Sequence, residues 1–296
     1  MNLTGLRYEG PIYRPPSEGN SLLIQTTIGC PWNKCTFCMV YKNGPKFKIR
    51  PVEEVKEDLL WAKKNYLLPI ETIFFPSGNS IIMKTDDFVE ILTYAKKLFP
   101  NVKRVTIYGS SQYIVKKGLN DMKRLADAGL SRIHVGLESG SDIVLKNICK
   151  GTTVDKQILA GELVKKSNIE LSEYVVMGLG GKKHSKKHIS ETIKVLNIIN
   201  PEFIRIRTFL PKINTPILSE IDSGLFQILS PYEVIRETYD LISGLKVTSE
   251  ILSDHYTNYI QVKGKIPGDR DLMLNSIKKA LEIDEEKYRD IYIGTE

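Results

Sequence analysis

The residues best suited to chemistry in this chain of 296 lie in GCPWNKCTFC, where Cys30, Cys35 and Cys38 are spaced C-x4-C-x2-C. Thiolates are the ligands of iron–sulfur clusters. Three of them can hold three corners of a cubane and leave the fourth iron open to a small molecule. A structural zinc site wants four protein ligands. A zinc reading therefore needs a distant fourth, from Cys149, His134 or His255. Three small buried hydrophobes are a third reading, which the polar, Lys- and Asn-containing loop disfavours.

Other positions carry weaker signals. Glu138, in GLESG, is a carboxylate at the end of an expected strand; helix N-capping is the alternative role. Arg205 and Arg207 alternate with Ile204 and Ile206, so both guanidiniums share one strand face. On an interior face they would clamp a carboxylate or phosphate; ion pairing with Glu138 or Glu173 is the competing reading. His184 and His188 are four apart at a helix start, where a solvated face outweighs a metal pair. Cys149 would serve as a hydrogen donor, or as a small buried residue. His255 and Asn258, in SDHYTNYI, would reach a substrate from the C-terminal part. GLGG (178–181) lacks the Lys-Ser/Thr of a P-loop.

These residues hang on an alternating pattern. Strands are expected at Ser21–Thr27, Glu71–Pro76, Arg104–Gly109, Arg132–Glu138, Ile169–Gly178 and Glu202–Phe209. Helices are expected at Pro51–Tyr66, Asp86–Phe99, Leu119–Gly129, Asp155–Ser167 and Lys186–Asn200. Six β–α units with no hairpin between them imply parallel strands with right-handed crossovers. Both an open barrel and a doubly wound sheet satisfy this. The cysteine loop follows the first strand, at the end where parallel α/β folds carry their chemistry. The expected organisation is an extended segment over 1–20, a core over 21–215, and a small, mainly helical extension over 216–296 with helices at Ser230–Ser243 and Asp269–Ile283.

The composition is that of a globular protein, 42% hydrophobic and 26% charged. No apolar run approaches the ~18 residues of a membrane span, and the first residues lack the apolar stretch of a signal peptide. A cytoplasmic location is expected. Three of four cysteines clustered in nine residues point to a metal or redox site rather than a disulfide framework. The net charge of +7 suits an anionic substrate or RNA; a lysine-rich helix surface is the plainer explanation.

The cysteine motif looks like that of the radical S-adenosylmethionine (SAM) superfamily, whose usual spacing is C-x3-C-x2-C; the first gap here is one residue longer. IFFPSGNS, VTIYGSSQYI, LADAGLSRIHVGLESGSDIVLKNICKG and VVMGLGG follow in order. Together they resemble the Elongator-like and methylthiotransferase-like branch, which includes the oxygen-independent coproporphyrinogen oxidases. The similarity runs from about Ser21 to Leu210.

The resemblance implies a partial (β/α)6 barrel of the TIM type. It implies an oxygen-sensitive [4Fe-4S] cluster on Cys30, Cys35 and Cys38, and SAM on the unligated iron. Reductive cleavage of SAM would yield a 5′-deoxyadenosyl radical that abstracts hydrogen. Phe37 would shield the cluster near the adenine. Ser77, Gly78 and Asn79 stand where the family has a Gly-Gly-Glu type turn for the SAM amino group, but only one glycine and no Glu is present. Ser110 would face SAM, Glu138 the ribose hydroxyls, Lys150 the SAM carboxylate, and Gly178 the adenine. An electron donor such as flavodoxin or ferredoxin would be needed.

The leading expectation is a radical SAM enzyme acting on a small molecule. The alternatives are an RNA-modifying enzyme of the same family and a zinc-stabilised nucleic-acid-binding protein. No second cysteine set and no basic tail favours nucleic acid.

Overall fold

The structure, a computed structural model, describes residues 5–295. The first four residues of segment 1–20, and the last of segment 216–296, lie outside the described residues. An eight-stranded sheet runs in the order β1 (Leu22–Leu23), β4 (Thr72–Phe75), β5 (Arg104–Gly109), β6 (Arg132–Glu138), β7 (Glu170–Met177), β8 (Phe203–Thr208), β9 (Glu250–Leu252), β10 (Lys263–Lys265). All neighbours are parallel except β9 and β10. Helices α1 (Val52–Asn65), α2 (Thr85–Leu98), α3 (Ser111–Ala128), α4 (Asp142–Asn147), α5 (Val154–Lys166) and α6 (Gly181–Ile199) connect the strands. α7 (Ile217–Asp222), α8 (Pro231–Gly244) and α9 (Arg270–Ala280) follow. This mostly parallel α/β arrangement is that of a partial TIM-type barrel. No described helix is long and apolar enough to cross a membrane.

Strand alternation sorts the side chains. Ile73, Phe75, Ile107, Ile133, Val135, Leu171, Val175 and Ile204 pack into the main hydrophobic core. Each such burial contributes about 1.5–3 kcal/mol. The residues between them, including Phe74, Tyr108, His134, Tyr174, Arg205 and Arg207, face the other side, the barrel interior.

Several expectations need correction. The first strand is only Leu22–Leu23. Thr27–Ile28 (β2) instead pairs antiparallel with Lys48–Ile49 (β3), closing the base of the cysteine loop. That base is stapled by the buried ion pair of Arg50 with Asp58, at 2.7 Å. The helix expected from Leu119 is preceded by helical residues from Ser111, and the two parts meet at Gly118, whose φ is +69°. The sheet does not stop at residue 215: β9 adds a parallel strand beside β8, and β10 turns back on it. Both strands are three residues long, too short to show a period against the flanking helices.

The N-terminal segment closes the lower end of the interior. Glu18 is fully buried, 2.5 Å from Ser21 Oγ, 3.2 Å from Arg104 Nη2 and 3.6 Å from His134 Nε2. Burial works to raise its pKa, but the adjacent His134, the Ser21 hydrogen bond and the Arg104 charge outweigh this and hold it at about 2. Chemistry is left to the opposite end, at the strands' C-termini.

Candidate functional site

The cysteine loop runs from β2 to β3 across the C-terminal ends of the strands. All three thiols are free and half-buried. Thr36 N donates to Ile148 O at 2.9 Å, and Trp32 Nε1 donates to Cys149 O at 2.7 Å. Gly151, at φ +76°, lies under the Trp32 ring, where a Cβ would approach to 2.5 Å. The loop is thus pinned onto the end of α4. Burial pushes Cys35 up to about 11 and also raises Cys38, with the neighbouring thiols adding to it and Lys150 opposing it. Asn33 N donates to Cys30 Sγ at 3.4 Å.

The Ser77-Gly78-Asn79 turn touches this loop. Gly78 N donates to Gly29 O at 3.2 Å. A Cβ on Gly78 would meet Gly29 O at 2.6 Å and Cys30 Cα at 3.0 Å, so this one glycine is needed for close approach. Ser77 is buried with φ +85° and accepts from Gln25 Nε2 at 3.0 Å. Asn79 Nδ2 donates to Ser110 Oγ at 2.7 Å, which joins the expected Ser110 to the turn. Asn79 Oδ1 is buried without a partner among the described residues.

Glu138 does not cap a helix: α4 begins at Asp142, with Ser141 at its N-cap. Glu138 ends β6 at φ +61°, after a register shift between Gly136 and Glu138. Its carboxylate folds back over Gly136 and pairs with Lys150 Nζ at 2.7 Å, both side chains mostly buried. Burial works to lower the Lys150 pKa, but Glu138 and the Cys35 and Cys38 thiols outweigh it and raise it. Lys150 is therefore an interior cation, not a solvated helix-end lysine.

Glu173 is not a barrel-interior acid. Alternation puts it with Leu171 and Val175 on the helix side, 2% exposed, and burial and Glu138 raise its pKa well above the usual range. His188 is likewise not on a solvated face. It is fully buried, 2.8 Å from Ser139 Oγ and 3.1 Å from Val176 O, and burial lowers its pKa to about 4. Gln157 Nε2 donates to Leu137 O at 2.7 Å. These groups support the turn that carries Glu138. Glu173, His188 and Gln157 had no local signal, because helical and strand periods do not separate a buried polar group from a solvated one. Gly136 had one: it precedes Glu138 by two on the same strand face.

Phe37 packs against Val144, Ile148, Val176, Leu179, Phe209 and Ile217. A cavity of about 270 Å³ adjoins this cluster, reached by Gly180, Gly181 and His184. Gly178 takes φ +81° and donates its N–H to Glu237 Oε2 at 2.6 Å. Glu237 comes from α8, and nothing near it in sequence predicted this contact.

Across the interior, Arg205 and Arg207 share the inner face of β8, as alternation requires. Neither pairs with Glu138 or Glu173. Arg205 is 3.5 Å from Asp254, and Arg207 bonds His255 Nε2. Asn258 Nδ2 donates to Ile206 O at 2.8 Å, and its Oδ1 accepts from Thr208 Oγ1, so it fastens the 253–258 loop to β8. Cys149 is exposed at φ +51°, not buried.

Three free thiols on one loop, an adjacent lysine and a backbone N–H on sulfur form a thiolate-binding donor set. Among the described residues, no group of three or more His, Cys, Asp or Glu is arranged to hold a single ion. A multi-iron cluster, in which each thiolate takes a different iron, fits three thiols on one loop.

Residues 24–196 match the Radical SAM superfamily. Over 213 residues the chain is 27% identical to a biotin synthase of Campylobacter fetus subsp. fetus (strain 82-40), covering 69% of this chain and 70% of that protein. It is 23% identical to a tRNA-2-methylthio-N(6)-dimethylallyladenosine synthase of Sulfurihydrogenibium sp. (strain YO3AOP1), covering 73% of this chain and 48% of that protein. It spans about half the length of other relatives it matches. The crystal structure of methylornithine synthase (PylB) superposes with a TM-score of 0.54 at 17% identity, over 89% of this chain and 81% of that one, a likeness of fold.

Proposed function

The chain belongs to the radical SAM superfamily, and on that premise we propose that it is a SAM-cleaving enzyme acting on a small molecule held in the barrel interior. Its family's cofactors are a [4Fe-4S] cluster and SAM. Cys30, Cys35 and Cys38 would hold the cluster. When bound, the cluster supplies the electron that splits SAM into methionine and a 5′-deoxyadenosyl radical, which takes hydrogen from a substrate.

The observation that carries the reading is the meeting of three elements at one end of the sheet. The cysteine loop touches the Ser77–Asn79 turn through Gly78, and the Cys35 and Cys38 thiols feel the Glu138–Lys150 pair. The chain's own groups then have distinct tasks. Asn79, Ser77 and Ser110 offer polar atoms to the SAM amino group, with the unpartnered Asn79 Oδ1 aimed for an N–H donor. Lys150 offers a cation to the SAM carboxylate, and Glu138 accepts from ribose hydroxyls once the two separate. Phe37 would face the purine from the apolar cluster of Val144, Ile148 and Ile217, and the backbone at Gly178 would approach it closely. The four free cysteines support a reducing compartment such as the cytoplasm, with a flavodoxin or ferredoxin as electron donor.

Anaerobic reconstitution with iron and sulfide, followed by dithionite reduction in the presence of SAM, tests this. The expected result is about four irons per chain and formation of 5′-deoxyadenosine. A loaded cluster that neither binds nor cleaves SAM would overturn it.

A further inference from the structure

We infer that the Arg205–Arg207 face binds an oxyanion carried by the substrate, a carboxylate or a phosphate ester, with Arg207 as its main ligand. This rests on the reading of the barrel interior as the substrate site. The strand register places Arg205 beside Tyr174, and Arg207 beside Val176 one inward step higher. Both guanidiniums lie about 6 Å from the Tyr174 ring. Arg205 is deeply buried, and Arg207 and Tyr174 are half-buried at the open end.

Charge is not balanced here. Among the described residues, Arg205 has a single carboxylate partner, Asp254, at 3.5 Å, and its Nε has none. Among the described residues, Arg207 has no carboxylate within ion-pair distance; its partner is His255. A guanidinium only donates, so His255 Nε2 accepts, which requires a neutral imidazole. Burial, then the charges of Arg207 and Lys212, hold the His255 pKa at about 3, so it adds no charge and neutralises none. Lys212 is satisfied by the Tyr256 hydroxyl, at 2.9 Å. Among the described residues, Arg205 and Arg207 thus face one half-exposed acid, Asp254. The Tyr174 hydroxyl is buried, has no partner among the described residues and is free to donate.

Uncompensated cations in a partly desolvated cup are costly unless an anion joins them. A planar guanidinium takes a carboxylate or phosphate with two parallel hydrogen bonds. Two further acids of the interior are already held, Glu138 by Lys150 and Glu18 by Arg104. The anion that completes the arginine face therefore comes with the substrate.

The test uses the whole chain and two probes, inorganic phosphate and acetate. Binding is read by calorimetry and thermal shift against chloride at matched ionic strength, which removes general screening. Wild-type protein should bind at least one probe, and which one assigns the group as phosphate or carboxylate. Arg207→Gln should weaken binding about tenfold to a hundredfold, as loss of a charge-assisted pair predicts. Tyr174→Phe should weaken it less, and Lys103→Gln, on the outer surface, should not change it. If Arg207→Gln does not fold, Arg207→Lys keeps the charge but loses the fork, and must still bind more weakly. No binding of either probe by wild type, or equal binding by the Arg207 variant, overturns the inference. SAM cleavage by wild-type protein is measured in parallel: its loss would count against the enzyme reading, whereas cleavage without anion binding would count against this inference alone.

Discussion

The Glu138 carboxylate and the Lys150 ammonium pair at 2.7 Å directly above the backbone of Gly136. A Cβ at Gly136 would lie 2.1 Å from Glu138 Oε1 and 2.9 Å from Lys150 Nζ. The smallest side chain cannot share that space, so Gly136→Ala must push the pair away. Iron content should stay at the wild-type level, while SAM binding by equilibrium dialysis falls about tenfold or more, the worth of a misplaced charged contact. Unchanged SAM affinity would show that the pair does not serve the cofactor.

The four cysteines should separate cleanly. Cys30→Ala, Cys35→Ala and Cys38→Ala should each lose the cluster, read as iron and acid-labile sulfide after reconstitution. Cys149→Ala should retain it, because Cys149 is exposed and meets the loop through its carbonyl, which accepts from Trp32 Nε1. Equal iron loss in all four would mean the ligands are misassigned.

Gly78→Ala tests the contact between the second-strand turn and the cysteine loop. Its Cβ would collide with Gly29 O and crowd Cys30, both backbone neighbours that cannot swing aside. We expect a cooperative fold with an unfolding midpoint lowered by a few degrees, since such overpacking costs about 1–3 kcal/mol. Iron retention during gel filtration should drop several-fold. Full retention would show the loop is not held by this turn.

Glu237 sets a pH dependence of stability. It is 3% exposed, and burial raises its pKa to about 7 against the nearby Ser185 and the hydrogen bond from Gly178 N–H. As pH rises from about 4.5 to 7, the unfolded chain gives up this proton first. Stability therefore falls across that window and levels off above it, by up to about 3 kcal/mol. Glu237→Gln keeps an acceptor for Gly178 N–H and never ionises. In urea titrations the variant should match wild type near pH 5 and exceed it near pH 8. A difference independent of pH would refute the buried-carboxyl account.

Much of the site was legible before any coordinates. Strand alternation placed Arg205 and Arg207 on one face, and β5 and β6 fall at Arg104–Gly109 and Arg132–Glu138 as read. The cysteine spacing named a donor set that the folded loop gathers and half-buries. The short strands were not legible: two residues in β1 and three in β9 carry no period. Nor were the partners of the charges. Arg207 meets His255, Gly178 meets Glu237, and Lys150 meets Glu138, in two of these three cases across nearly fifty residues or more.

The sequence alone determined the order of β–α units, the three thiols after the first strand, and which strand residues share a face. These depend on periods of 2 and 3.6 and on spacing within a few residues, which are local properties. Only the tertiary structure decided that Glu173 turns to the helices, that His188 is buried beneath Glu138, and that Arg207 finds no acid. The one-residue register shift between Gly136 and Glu138 shows why. A bulge changes which side chains oppose each other across neighbouring strands, and that register is set by packing of the whole sheet rather than by any one segment.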